Sequence, residues 1–186
     1  MAADASKVRV AVTGAVYKGP TTATAPTGTA GAPTGFTDLG YISEDGVEVD
    51  LPGVGDSTPI KAWQNGTTVR TIRTASEDKP SWHFTMLETS LATIETYFGV
   101  TVTQTATEGS FEYRVQDRAP ISLIVDAIDG AQLRRDYVPN AVVTEVGTHT
   151  LSNGDASGYE VTIEGDLDSV KNYNFKSWNT ALKTGA

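Results

Sequence analysis

The chain has 186 residues, with 23 acidic and 14 basic side chains, a formal net charge of -9 and no cysteine. The length suits one domain over residues 1–186, and the lack of cysteine excludes disulfide bonds, a cysteine nucleophile and thiolate metal sites. The acidic balance argues against holding nucleic acid by charge, and 27 threonines with 18 glycines indicate a β-rich, turn-rich fold.

The N-terminal part contains one predicted strand followed by a segment of unusual composition. Residues 7–12, KVRVAV, alternate polar and apolar side chains and predict a short strand. Residues 19–35 contain only Gly, Pro, Thr and Ala, so they offer no large side chain to a core and predict a long loop or a disordered segment. An interdomain linker is the alternative, although the 18 residues before it are too few to fold alone.

The next part of the chain predicts strands joined by tight turns. Val47, Val49 and Leu51 alternate with Glu48 and Asp50, which predicts a strand with one apolar face and one carboxylate face. An Asn-Gly pair at 65–66 predicts a hairpin turn before a strand over 67–74. In residues 82–87, WHFTML, the large apolar side chains at 82, 84 and 86 alternate with His, Thr and Leu and predict another strand.

One segment has helical rather than strand spacing. In residues 89–99, TSLATIETYFG, apolar side chains recur at positions i, i+3 and i+7. Thr89 or Ser90 can cap the N-terminus, and Gly99 can adopt the left-handed conformation that ends a helix. So short a helix must be held by packing on a sheet. Its candidate packing residues are Leu91, Ile94 and Phe98.

The rest of the chain predicts further strands and an antiparallel architecture. Asp-Gly at 129–130 and Asn-Gly at 153–154 are additional hairpin signals. The tail over 171–178 predicts a last edge strand. The predicted strands lie at 99–105, 111–116, 121–127, 131–137, 141–145 and 159–164. The whole pattern predicts a mainly β fold, an antiparallel β-sandwich or half-barrel with one short flanking α-helix.

The acidic residues are concentrated in two windows that lack bases. Residues 38–56 hold six acids and no Lys or Arg, and residues 136–168 hold seven acids and again no Lys or Arg. A solvated acidic face that aids solubility explains such a bias. This is the commoner cause, and a surface that must repel a polyanion is the more specific alternative.

No motif for catalysis or cofactor binding is present. A serine triad through His83 or His149 has no local support, and the Asp-x-Asp at 166–168 lacks the EF-hand spacing for calcium. The three tryptophans could form a sugar-binding platform but are more typical of core and interface positions. We therefore expect no enzyme activity, no cofactor and no metal. The apolar stretches are too short to span a bilayer, and a cytosolic site of synthesis is expected.

The order of several segments resembles a known family. The runs LGYISEDGVEVDLP at 39–52 and IKAWQNGTTVRTIRT at 60–74 lead through WHFTMLETS into LATIETYFG. They are followed late in the chain by RRDYVPNAVVTEVGTHTLSNGDASGYEVTIEG at 134–165. This order resembles the major tail protein, or tail tube protein, of long-tailed, siphovirus-type bacteriophages, especially those of actinobacteria. The resemblance covers most of the chain from Phe36 onward, and none of its motifs is catalytic.

The resemblance implies a structural role in a virion. Such proteins close into rings, commonly of six copies, whose inner strands form one barrel, and the rings stack into a tube through which DNA passes during ejection. The inner wall is commonly acidic. The candidate residues for a lumen face are Glu48, Asp50, Glu112 and Gln116, with plain solvent exposure as the alternative. The candidate inter-ring loop includes Pro20, Pro26, Gly31 and Pro33, and a C-terminal arm is expected at about 177–186.

The resemblance also implies partners and a location. The expected partners are further copies of the chain, a tape measure protein and tail terminator or neck proteins. DNA is expected as transient cargo in the lumen and not as a tight ligand. The expected location is the virion tail, after synthesis in the host bacterial cytoplasm. Two alternatives are a related ring component such as a tail terminator, and a carbohydrate-binding or adhesive β-sandwich module.

Overall fold

The computed structural model describes residues 4–74, 76–154 and 156–183. The last three residues of the expected C-terminal arm, 184–186, lie outside this part. The described chain is mainly β with a short helix, and two 3-10 turns occur at Ala5–Lys7 and Thr180–Leu182. The remaining elements are, in chain order, β1 (Thr13–Gly19), β2 (Thr37–Asp38), β3 (Ile42–Asp50), β4 (Ser57–Lys61), β5 (Thr68–Arg73), β6 (Ser81–Met86), α1 (Leu91–Phe98), β7 (Thr103–Gln104), β8 (Gly109–Ser110), β9 (Ile121–Asp129), β10 (Gln132–Val146), β11 (Tyr159–Gly165) and β12 (Lys176–Asn179).

One antiparallel sheet organises the molecule. Its strand order is β2-β1-β9-β10-β11-β6-β3, and β12 pairs with the first half of β10. The sheet curls, because β1 and β3, near its opposite ends, line the same groove. The pairings of the described residues do not close it into a barrel. This architecture confirms the predicted mainly β, antiparallel fold with one short flanking helix.

The core lies on the concave face of the sheet. Alternate residues of β6 and β11 point into it, and Trp82, Val161 and Ile163 are fully buried. Leu123 of β9 and Val138 of β10 complete its centre. Buried and half-exposed side chains alternate regularly in β6 and β11. The sequence pattern of 82–87 and 159–164 predicted this alternation.

The helix α1 closes one end of this core and begins and ends as predicted. The Ser90 side chain accepts a hydrogen bond from the backbone N–H of Thr93, and Gly99 is left-handed with φ 67°. Of the predicted packing residues, Ile94 and Phe98 are partly buried against the core, whereas Leu91 is 43% exposed. The buried residues of the helix are Ala92, Thr93, Thr96 and Tyr97.

Hydrogen bonds explain how the buried face of the helix can include two threonines. The Thr93 hydroxyl donates to the carbonyl of Leu39, and the Thr96 hydroxyl donates to the carbonyl of Ala92 one turn earlier. Both hydroxyls are therefore satisfied inside the protein, so burying them costs little. The spacing of the apolar residues in the sequence does not indicate that these two threonines are buried.

Two of the three hairpin signals mark tight turns. Gly66 and Gly130 adopt positive φ angles at the β4–β5 and β9–β10 turns, as Asn-Gly and Asp-Gly pairs favour. The predicted strand at 67–74 is β5. The Asn-Gly pair at 153–154 instead lies inside a longer connection from β10 to β11.

Several predicted strands are wrong. Residues 8–12 form no strand, and Val8, Val10 and Val12 are each more than 60% exposed. Their alternation resembles that of a strand, but β9, the partner of β1, ends at Asp129. The N–H of Val12 still donates to the carbonyl of Ile128, whereas the N–H of Val10 donates to the side chain of Asp129. Residues 111–116 likewise form no strand, and only β7 remains of the strand predicted at 99–105.

Two predicted strands are one continuous strand. The segments 131–137 and 141–145 belong to β10, whose register with β9 shifts between Val138 and Ala141. Pro139 lies at this irregularity, where a proline does not interrupt a regular ladder. The first half of β10 pairs with β12 and the second half with β11. The predicted last edge strand is β12.

Candidate interaction surfaces

The convex face of the sheet divides into an acidic half and a covered half. The acidic half is formed by β3, β6 and β11. Asp50 lies opposite Ser81, which lies opposite Glu164, and Glu48 lies opposite His83 in the next row. The paired stretches of β3 and β11 contribute two carboxylates each to this face, and they are Glu48, Asp50, Glu160 and Glu164.

The predicted carboxylates of β3 are placed as their alternation requires. Glu48 and Asp50 are exposed, whereas Val47 and Val49 between them pack against the core. Within the described residues neither Glu48 nor Asp50 forms an ion pair. They therefore present uncompensated negative charge on the edge strand of the sheet.

The carboxylates of β11 have local partners. His83 Nε2 lies 3.0 Å from Glu160 Oε1, and Lys79 Nζ lies 3.9 Å from Glu164. Lys79 also lies 2.6 Å from Asp166, and this hydrogen bond raises the pKa of Lys79. Lys79 lies two residues before the start of β6, and the strands β3, β6 and β11 themselves contain no Lys or Arg. The alternation of YEVTIEG, in which the buried Tyr, Val and Ile alternate with Glu and Thr, could have identified Glu160 and Glu164.

The other two lumen candidates lie elsewhere. Glu112 and Gln116 are exposed on an irregular segment near the C-terminus of α1, where Gln116 Nε2 donates to the carbonyl of Gly99. Arg118 of the same segment donates to the carbonyls of Thr96 and Tyr97. The structure therefore does not bring Glu112 and Gln116 together with Glu48 and Asp50 on one strand face.

The covered half of the convex face lies beneath the Gly-Pro-Thr-Ala loop. The central contact is Arg135 of β10, which is 3% exposed and forms a forked ion pair with Asp126 of β9 at 2.6 and 2.7 Å. The same guanidinium donates to the carbonyls of Gly28 and Gly31 in the loop. These bonds to Asp126 raise the pKa of Arg135, which stays charged inside the protein.

Aromatic packing and burial complete the cover. Phe36, at the end of the loop, contacts Tyr137 edge-to-face at 6.3 Å between ring centroids. Burial raises the pKa of Tyr17 on the neighbouring strand, with smaller contributions from Asp38 and Asp126. The loop thus has anchors that its own composition does not reveal. Of the candidate inter-ring residues, Pro20 and Gly31 are exposed, while Pro26 and Pro33 are half-buried.

A third surface is the hairpin formed by β4 and β5, which we call the hairpin arm (residues 57–73). Every residue of both strands is exposed, and Trp63 in the turn is 97% exposed. Its basic residues form no ion pair within the described residues. They are Lys61, Arg70 and Arg73. The Asn-Gly pair predicted the hairpin, but the sequence did not indicate that both of its strands would be exposed on both faces.

Two further findings limit the chemistry of the described chain. No group of three or more His, Asp or Glu side chains there is arranged to hold a metal ion. No helix in that part is both long and apolar enough to cross a membrane.

Comparison with known proteins identifies the family. The sequence of residues 1–178 matches the family described as phage tail tube protein. No curated protein matches the chain at a significant level. The match covers nearly the whole sequence and agrees with the mainly β, antiparallel architecture. The family is a structural one and not a family of enzymes. The chain belongs to the phage tail tube protein family, and its place is therefore the virion tail.

Proposed function

We propose that copies of this chain close into rings of six and that the rings stack into the tail tube of a siphovirus-type phage, a conduit for DNA ejection. The carrying observation is the open sheet, whose end strand β3 pairs only with β6 within the described chain. An exposed strand edge is a ready site for pairing with another chain. A ring in which each edge pairs with a neighbour's edge satisfies these groups.

The size of the conduit supports the need for several copies. A barrel of eight strands is filled by its own side chains, so a barrel that admits a DNA duplex needs more strands than one chain supplies. The free edges of the sheet allow it to be extended by neighbouring copies. The tape measure protein, the tail terminator and the neck proteins are the further partners in this proposal, with assembly following synthesis in the host cytoplasm.

The acidic half of the convex face is the proposed lumen wall. Its carboxylates alternate with residues that point into the core, so they form rows on one side of the sheet. Negative charge repels the phosphates of passing DNA, and the scarcity of bases there leaves little to hold them. Glu48 and Asp50, on the edge strand β3, are the main candidates for this wall. DNA is cargo in this arrangement and not a bound ligand.

Electron microscopy of the purified protein tests the assembly. We expect hollow tubes built from stacked six-membered rings, because the edges left open in one copy are satisfied only by neighbours. Isolated rings that never stack would contradict the tube and favour a terminator-like role. Monomers at all concentrations would contradict self-assembly.

A charge reversal tests the lumen wall. In Glu48→Lys/Asp50→Lys tubes, we expect short duplex DNA to be retained at low salt and released as salt rises, since phosphate binding by lysine is strongly salt-dependent. Cosedimentation of labelled duplex with tubes measures this, and wild-type tubes should retain none.

The matched control is Glu108→Lys/Asp117→Lys, which makes the same charge change at exposed positions outside the sheet face. Equal retention of DNA by both double variants would refute the assignment of Glu48 and Asp50 to the lumen.

A further inference from the structure

The hairpin arm lacks the packing that a two-stranded sheet needs. An isolated pair of strands is at best marginally stable in water. In the arm all residues of β4 and β5 are exposed, including Ile60, Val69 and Ile72. Exposed apolar residues grouped on a projecting element mark a contact surface.

One face of the arm combines apolar and cationic side chains. Ile60 lies opposite Arg70 and Thr58 lies opposite Ile72, and these pairs are two residues apart along each strand. Side chains at such positions point to the same side of a sheet. The face therefore presents two isoleucines beside one guanidinium. The arm as a whole contains three bases and no acid.

A groove of matching character runs between β1 and β3. Its volume is about 520 Å³, and its lining includes the apolar side chains of Val12, Val16, Tyr41 and Ile42. Val12 and Tyr41 are 73% and 76% exposed, so the groove is open to solvent. The Arg134–Asp136 ion pair lines it too, and so does Glu44, which forms no ion pair within the described residues. The strand β3 carries four acids and no base over its nine residues.

The backbone beside this groove is unpaired as well. Among the residues that the structure describes, β1 pairs with β2 only at Tyr17 and Lys18, and β3 pairs only with β6. An extended segment from another chain can add to such an edge through main-chain hydrogen bonds. The groove therefore offers apolar lining, negative charge and strand edges to one incoming element.

We propose that the hairpin arm of one copy docks in the β1–β3 groove of a second copy. Ile60 and Ile72 pack on the apolar lining, and Arg70 approaches Glu44. The argument for a second copy is charge complementarity, since a base-only arm meets an acid-only strand within a chain of net charge -9. The inference rests on the proposed self-assembly and specifies the contact that carries it.

Reciprocal charge reversal tests the docking. We expect Arg70→Glu and Glu44→Arg to raise the concentration needed for tube growth at least about tenfold each, because like charges then face one another. The double variant Arg70→Glu/Glu44→Arg should restore growth. Arg114→Glu, at an exposed position outside the arm, is the control and should grow as wild type. A double variant no better than the single ones overturns the docking.

Cysteine crosslinking separates the docking from the assembly itself. The chain has no cysteine, so Ile72→Cys/Ser43→Cys introduces one thiol on the arm and one in the groove. Oxidised tubes should yield a ladder of covalent multimers under denaturing conditions, whereas Ile72→Cys/Thr107→Cys tubes should yield monomers. Intact tubes without the ladder refute the docking and leave the tube function standing. Failure of the wild-type chain to form tubes refutes the proposed function.

Discussion

Replacement of Arg135 by methionine is expected to lower the free energy of unfolding by about 3–5 kcal/mol. The substitution leaves the carboxylate of Asp126, which is 6% exposed, without its forked partner. It also removes the two hydrogen bonds to the carbonyls of Gly28 and Gly31. Urea denaturation of the unassembled chain measures the loss, and protease cleavage within residues 20–36 should become faster because the loop loses its central anchor.

An exposed ion pair that involves another aspartate of β9 provides the control. Arg9 lies 3.9 Å from Asp129, the last residue of β9, and both side chains are at least 31% exposed. Surface pairs of this kind contribute about 0–1 kcal/mol, so Arg9→Met should be nearly neutral. Equal losses in Arg9→Met and Arg135→Met would show that burial of the Arg135–Asp126 pair does not matter.

A double substitution separates the charge from the packing. In Arg135→Met/Asp126→Leu both members of the buried pair are apolar, so neither charge is left without its partner, and such replacements of buried pairs are often neutral or stabilising. We expect this variant to recover much of the lost stability while the loop stays sensitive to protease. Recovery of protease resistance would show that Phe36 and its neighbours hold the loop without Arg135.

The central strands and the helix caps could be predicted from the sequence. In β6 and β11 one face is buried and the other is solvated, so the alternation of side chains is unambiguous. Ser90 and Gly99 carry capping chemistry that depends only on local backbone geometry. Gly66 and Gly130 mark their turns for the same local reason.

The errors arise where the outcome depends on distant residues. Residues 8–12 alternate as a strand does, but a strand also requires a partner edge, and the sequence of a segment does not specify one. The composition of residues 19–35 suggests a segment without anchors. Arg135, more than 100 positions later, nevertheless donates to the loop's carbonyl groups, and carbonyl groups are the same in every residue type.

The candidate surfaces likewise include residues that the local sequence identifies and residues that only the folded structure identifies. The carboxylates of β3 could be found from their alternation, whereas Glu112 and Gln116 were chosen from a strand that does not form. The carboxylates of β11 and β3 share one face of the sheet because both strands pair with β6, and only the sheet register shows this. The isolation of the hairpin arm and the groove between two distant strands are properties of the whole fold.

Two tryptophans separate the energetics of folding from those of assembly. Trp82 is fully buried and contacts Phe175 edge-to-face at 5.5 Å, and a side chain at Gly165 would come within 3.0 Å of its ring. Trp82→Ala should therefore cost about 3–5 kcal/mol of unfolding free energy, because it leaves a cavity among rigid neighbours. Urea denaturation of the unassembled chain measures the cost.

Trp63→Ala makes the same chemical change on the hairpin arm, where the ring is 97% exposed. The stability of the unassembled chain should change by less than about 0.5 kcal/mol, since little packing is lost there. Tube growth should require at least about tenfold more protein, because exposed tryptophans on contact elements are typical binding hot spots. Unchanged tube growth would remove Trp63 from the contact, and a large loss of stability would mean that the arm packs on its own copy. The two variants thus show whether the hairpin arm stabilises its own copy or contacts a neighbouring copy.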